Sequence, residues 1–163
     1  MEKEIIREEN KMHEILVSYS RPVYDHMPKV NCSQDVDKII RKAINGLSLD
    51  YQEYFWCLYL NNANKVLGYC EISSGDSTGT IVNIPKIFAV AVNVSAKGLI
   101  IIHNHPSGNL KASEKDKVIS ERIKFLASLF SMTLLDSLII TSESYLSFSD
   151  EAMFLESSNT LPF

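Results

Sequence analysis

The sequence predicts a mixed α/β (α+β) fold, a single β-sheet flanked by helices, on three observations. Short apolar runs with strand character stand at 54–60 (YFWCLYL), 99–102 (LIII) and 134–140 (LLDSLII). Between them lie segments whose apolar residues recur at helical spacing, and the alternation of the two periods is the pattern of a sheet with helices packed on it. Third, 163 residues, 45% of them hydrophobic and 22% charged, suffice for one ordinary domain that buries its own core.

Residues 1–32 read as an N-terminal arm, with a short strand at LVSYS (16–20) and two prolines, Pro22 and Pro28, that interrupt regular structure. A domain over 33–155 and a C-terminal tail over 156–163 follow. Ser33 is placed to cap a helix whose apolar face is Val36, Ile39, Ile40, Ala43, Ile44 and Leu47, with Gly46 near its end. YFWCLYL, the turn-prone NNAN and KVLGYCEIS then predict two neighbouring antiparallel strands.

TIVNI at 80–84 reads as a further strand. Pro85 suits the first turn of a helix carrying Ile87, Phe88, Ala91, Val92 and Val94 and closing near Gly98. LIII is a short buried strand; Val118, Ile119, Ile123, Leu126 and Phe130 mark a third helix; LLDSLII and the alternating YLSFS at 145–149 are the last strands. The sum is five or six strands and three helices.

Composition excludes several classes of function. The net charge is −4 and the densest basic stretch is KIIRK at 38–42, so a surface that neutralises many phosphates is not visible. The three cysteines, Cys32, Cys57 and Cys70, form no CxxC pair, which argues against a disulfide framework or a cysteine zinc site and for a reducing cytoplasm. The charged start, MEKEIIREENKMHEI, is unlike a signal peptide, and no window approaches the roughly 20 apolar residues of a membrane span. A soluble, unexported protein is expected.

The chemistry concentrates in IIHNHPSGNLKASEKD, residues 101–116. In an extended segment residues two apart point the same way, so His103 and His105 present their imidazoles to one point past the end of a strand. Pro106, Ser107 and Gly108 turn the chain, and Asp116 falls in the first turn of the next helix, from where its carboxylate reaches back. Two His and one carboxylate leave a tetrahedral zinc one open position, the arrangement of a hydrolytic site. Ser113-x-x-Asp116 is equally a capping box, which needs no metal, and the residues alone leave both readings open.

The full pattern, His-x-His, seven residues, Ser, two residues, Asp, resembles the signature of the JAB/MPN (JAMM) metalloprotease domain. HNHPSG together with SEKD, LLDSLII and YLSF is similar to the RadC-like branch of that family, over about residues 52–154. The resemblance implies the JAB/MPN (cytidine-deaminase-like) fold and a Zn2+ held by His103, His105 and Asp116 with water as the fourth ligand. It also implies that Ser113 stabilises the oxyanion of a tetrahedral intermediate and that a Glu at the start of an early strand acts as general base. EYFWCLYL puts Glu53 there. Glu71, within KVLGYCEIS, is its rival.

Two departures from the branch stand out: Asp136-Ser137 where Asp-His is usual, and Ala112-Ser113 where Pro-Ser is usual. Neither replaces a metal ligand, while Ser137 bears on the surroundings of the metal or the substrate groove. His13 and His26 read as surface residues, Ser107 and Gly108 as turn formers, and Asn104 as pointing away from the two histidines and supporting the turn.

The expected function is therefore a zinc-dependent hydrolase of metallopeptidase or isopeptidase type, acting on a peptide or an isopeptide-linked protein through metal-bound water activated by a Glu. The alternative is a non-catalytic RadC-like interaction module associated with DNA repair or recombination. DNA as a partner finds no support in the charge, and the helix-hairpin-helix portion of longer RadC proteins is not apparent. A purely structural role is the third reading.

Overall fold

The computed structural model describes residues 16, 18, 26–45, 47–75 and 81–154. In chain order the elements are α1 (Ser33–Ala43), β1 (Glu53–Leu60), β2 (Val66–Gly75), α2 (Ile84–Asn93), β3 (Gly98–Asn104), α3 (Glu114–Leu129), β4 (Thr133–Ile140) and β5 (Tyr145–Ser147). The strands form one mixed sheet in the order β2-β1-β3-β4-β5. β1 pairs antiparallel with both β2 and β3, β3 pairs parallel with β4 through the crossover that contains α3, and β5 returns antiparallel. This is the mixed sheet with helices that the sequence predicts, and it is consistent with the JAB/MPN fold.

β3, GLIIIHN, is buried at every position, as a central strand covered on both faces must be. On one face Phe55, Cys57, Tyr59, Leu99 and Ile101 pack with Ile87 and Phe88 of α2 and Ile123 and Ala127 of α3. On the other, Trp56, Leu58, Leu60, Ile100 and Ile102 pack with Val36 and Ile40 of α1. The period-2 alternation of β1 and β3 thus feeds two separate apolar layers.

Several local expectations give way. Cys32, not Ser33, is the N-cap of α1 and makes no side-chain cap bond. Ser33 is the first helical residue, buried, and its Oγ donates to Asp150 Oδ2, so tertiary bonding takes the hydroxyl that sequence assigns to the cap. Leu47 lies past the helix and is exposed. In the stretch read as strand TIVNI, residues 81–83 are not strand, Asn83 caps α2 by accepting from the Lys86 N–H at 3.1 Å, and Ile84 is already helical. Thr80, Gly46, most of LVSYS, His13 and the tail 156–163 lie outside the described residues.

α2 ends at Asn93, earlier than Gly98 suggests, and Ser95 at φ 54° makes the reversal. Gly98 instead opens β3 at a close approach: an added Cβ would meet Leu135 Cδ1 at 2.8 Å and Leu60 Cβ at 3.4 Å. α3 buries Ser120, Ile123 and Ala127, while Val118 and Phe130 of the expected apolar face are exposed. Small side chains at Ser120 and Ala127 let the helix lie close to the sheet, which a search for large apolar residues overlooks.

Candidate metal centre

The site forms where β3 runs out beside the N-terminus of α3. His103 is the last core-facing residue of β3, 2% exposed, with its ring stacked on Phe55 at 5.9 Å between centroids. His105 lies just past the strand and its backbone N–H donates to Ile140 O at 3.1 Å, which prolongs the β3–β4 pairing by one bond. The turn then closes with the Gly108 N–H on His105 O at 3.0 Å, and Gly108 takes φ 74°, a left-handed value that a Cβ disfavours. His105 Nδ1 donates to Asn109 O at 2.6 Å, which places a proton on Nδ1, so that in the neutral ring Nε2 turns its lone pair inward and in the charged ring Nε2 carries the second proton toward Asp116.

Asp116 is the third residue of α3. The Asp116 N–H donates to Ser113 Oγ at 3.2 Å, and the Ser113 N–H donates back to Asp116 Oδ2 at 2.7 Å, so the capping box is complete. The Ser113 hydroxyl also donates to Asp116 Oδ2, at 2.6 Å. Asp116 Oδ1 stands 3.1 Å from His103 Nε2 and Oδ2 stands 3.6 Å from His105 Nε2, while the two Nε2 atoms are 3.1 Å apart. Cap and convergence coexist: the carboxylate that closes the helix end is the one that meets both histidines. The positive end of α3 further favours its negative charge.

Three donors, two imidazole nitrogens and a carboxylate oxygen, therefore lie within 4.8 Å of one another and could hold a metal ion. Ligands about 2.0–2.1 Å from a tetrahedral zinc sit about 3.3 Å from each other. The two Nε2 atoms at 3.1 Å, and Asp116 Oδ1 at 3.1 Å from His103 Nε2, lie close to that spacing, while the other carboxylate oxygen, Oδ2, stands 3.6 Å from His105 Nε2, so two imidazoles and one carboxylate fit in kind and proximity the ion that the resemblance implies. Two Nε2 atoms face each other at hydrogen-bond distance with one proton between them at most, a cluster that a cation relieves. Burial pushes the Asp116 carboxyl up, but hydrogen bonds from His103 and His105 outweigh it and hold the group well below the usual carboxylate range. His105 is shifted up from 6.5, chiefly by its hydrogen bond with Asp116, with burial opposing and Glu53 contributing through its charge.

These groups open into a pocket of about 590 Å3 whose walls include Glu53, Phe55, Ile81, Val82, Val118, Ile119 and Arg122 beside His103, His105, Ser113 and Asp116. Glu53 reaches it from the first position of β1. Glu71 does not: it is exposed on β2, opposite Trp56 and so directed toward the α1 face. Ser137 is fully buried behind the site, where its Oγ accepts from Ser120 Oγ at 3.0 Å, one turn of α3 beyond Asp116. It braces the helix and does not line the pocket.

Asn104 points away from the histidines as expected, yet it supports the segment that leads into β1 and the start of that strand, and not the turn. Sequence reading did not reach Arg122 or the apolar wall of Ile81, Val82 and Val118, because the signal for a pocket wall is a fold already in hand. Among the described residues no helix is long and apolar enough to cross a membrane.

The family description RadC-like JAB domain matches residues 30–153. The chain is similar to a UPF0758 protein of Flavobacterium johnsoniae, 41% identical over 128 residues, which covers 78% of this chain and 55% of the relative. UPF0758 proteins of Listeria monocytogenes and Chlorobaculum parvum are 32% and 30% identical over 125 residues, covering 77% of this chain and 54% and 55% of theirs. The chain thus spans about half the length of the curated relatives it matches.

Proposed function

The chain belongs to the RadC-like JAB domain family, and on that premise we propose that it is a zinc-dependent hydrolase of peptide or isopeptide bonds. The observation that carries the proposal is the convergence of His103, His105 and Asp116 at one end of β3, in a pocket that Glu53 and Ser113 also line. His103, His105 and Asp116 would hold the ion. Zinc bound there supplies a Lewis acid and lowers the pKa of water toward neutrality.

Glu53 accepts a proton from the attacking water and delivers it to the leaving amine, so one carboxylate serves both halves of the reaction. Ser113 Oγ donates a hydrogen bond to the oxyanion that forms at the attacked carbonyl. Its proton now rests on Asp116 Oδ2, so the hydroxyl must rotate away during turnover while its lone pair keeps the helix cap. Val118 and Ile81, both exposed on the pocket wall, offer an apolar surface to substrate side chains.

The complete donor set supports an enzyme over a scaffold, since an interaction module has no need of three converging ligands and a carboxylate. The free cysteines, including buried Cys57, fit a cytoplasmic setting. The test is a mass-spectrometric screen of peptide and isopeptide-linked substrates with zinc-loaded protein. Wild type is expected to cleave, and Glu53→Gln to hold zinc while losing on the order of 100-fold in rate. Undiminished cleavage by a zinc-loaded Glu53→Gln protein would refute the assignment of the base.

A further inference from the structure

We propose that Asn104 is a positioning residue that fixes Glu53 relative to the metal ligands, an inference that rests on the hydrolase reading above. Asn104 is 0% exposed, and the hydrogen bonds of its side chain all go to one segment. Its Nδ2 donates to Leu49 O at 2.7 Å and to Gln52 O at 2.8 Å, and its Oδ1 accepts from the Tyr54 N–H at 2.7 Å. Gln52 C=O and Tyr54 N–H belong to the two peptide groups on either side of the Glu53 Cα. A single carboxamide therefore ties both peptide planes of Glu53 and with them the direction of its Cβ.

The sheet explains why a side chain does this. The β1–β3 ladder has its last residue pair at Phe55 and His103. Continued in the same register, Tyr54 falls opposite Asn104 and Glu53 opposite His105. The Asn104 side chain supplies the next rungs. By the alternation of strands, His103, His105 and Glu53 share the pocket face, while the amide works from the other face. Asn104 is also the residue between the two histidines, so base and ligands are referenced to one point of the backbone.

An aspartate at 104 would keep the acceptor for Tyr54 but turn a carboxylate oxygen toward two carbonyls; an alanine would remove all three bonds. His103 and His105 keep their own supports, Phe55 stacking and the Asn109 and Ile140 bonds, so zinc binding should survive either change.

The experiment needs no substrate. Acetohydroxamate chelates zinc and donates a hydrogen bond to an adjacent carboxylate, so its affinity for the zinc-loaded chain reads where Glu53 stands. Zinc affinity is measured by competition with a chromophoric chelator and acetohydroxamate affinity by calorimetry, for wild type, Asn104→Ala, Asn104→Asp, Glu53→Gln and the Asn104→Ala/Glu53→Gln double variant. Expected are near wild-type zinc affinity in the Asn104 variants and a loss of about tenfold or more in acetohydroxamate affinity. The double variant should lose no more than Glu53→Gln alone, a non-additivity that a merely structural Asn104 would not produce.

Unchanged acetohydroxamate affinity, or additive losses, overturns the inference. Failure of the wild type to bind zinc overturns the hydrolase reading and this inference with it. Should the variants not fold, hydrogen exchange of the wild-type Tyr54 amide decides: protection matching the core of β1 supports the clamp, and rapid exchange overturns it.

Discussion

Asp116 closes a helix and faces both histidines, and an Asp116→Asn substitution separates the two roles. In the metal-free protein the introduced amide oxygen would still accept one N–H, but the charge and the paired contacts with Ser113 and His103 would go. A charge-assisted bond is worth about 1.5–3 kcal/mol and the amide retains part of it, so the loss is about 1–2 kcal/mol. For a chain of this size that lowers Tm by about 2–8 °C. Zinc at about 100 times its Kd stabilises wild type by about 2.7 kcal/mol, or about 5–11 °C. Losing the anionic ligand should weaken zinc at least ~100-fold, beyond what a supporting residue costs, which leaves a gain of about 1–2 °C at the same zinc concentration. Thermal melts with and without zinc measure both quantities. A variant that melts lower but keeps the full zinc-dependent gain would show that the carboxylate is only a cap, and the metal reading would fall.

The metal-free protein should also carry a pH signature at His105. Its pKa is raised in the folded state, so the contribution to stability is full below about 6.5 and is lost as pH rises through the higher folded value. Asp116 is shifted down, so its part is present above about 3.8 and is lost as pH falls below it. The Tm difference between wild type and His105→Gln should therefore be largest between about pH 4 and 6.5 and shrink at higher pH; a difference that grows through pH 8 contradicts the pairing. Ser113→Ala should lose about 1 kcal/mol of stability from the cap, read by urea denaturation, while zinc is retained. If Ser113 also meets the oxyanion, hydrolysis falls on the order of 100-fold, and an unchanged rate would confine that serine to capping.

What the sequence reveals depends on how local the determinant is. The strands of the core are legible because apolar runs such as LIII and LLDSLII need no partner to be recognised. The histidines are legible through strand alternation, and Asp116 through its place three residues past a capping Ser. Ser33 misleads because its hydroxyl is taken by Asp150, more than a hundred residues away, and TIVNI misleads because Asn83 caps a helix that begins inside it. The preference for Glu53 over Glu71 came from resemblance alone, whereas in the fold Glu53 lines the pocket and Glu71 stands exposed on the edge strand. The direction of Asn104 is legible from strand alternation, but what it holds is not, since its three partners lie about fifty residues upstream.

The central claim is that the His103, His105 and Asp116 cluster is a zinc site, and the most direct measurement is metal content of purified protein by plasma mass spectrometry, beside a His103→Ala/His105→Ala control. The account predicts about one zinc per wild-type chain and essentially none in the control. Wild-type protein that holds no metal even after zinc is supplied, or a control that holds as much as wild type, would contradict it.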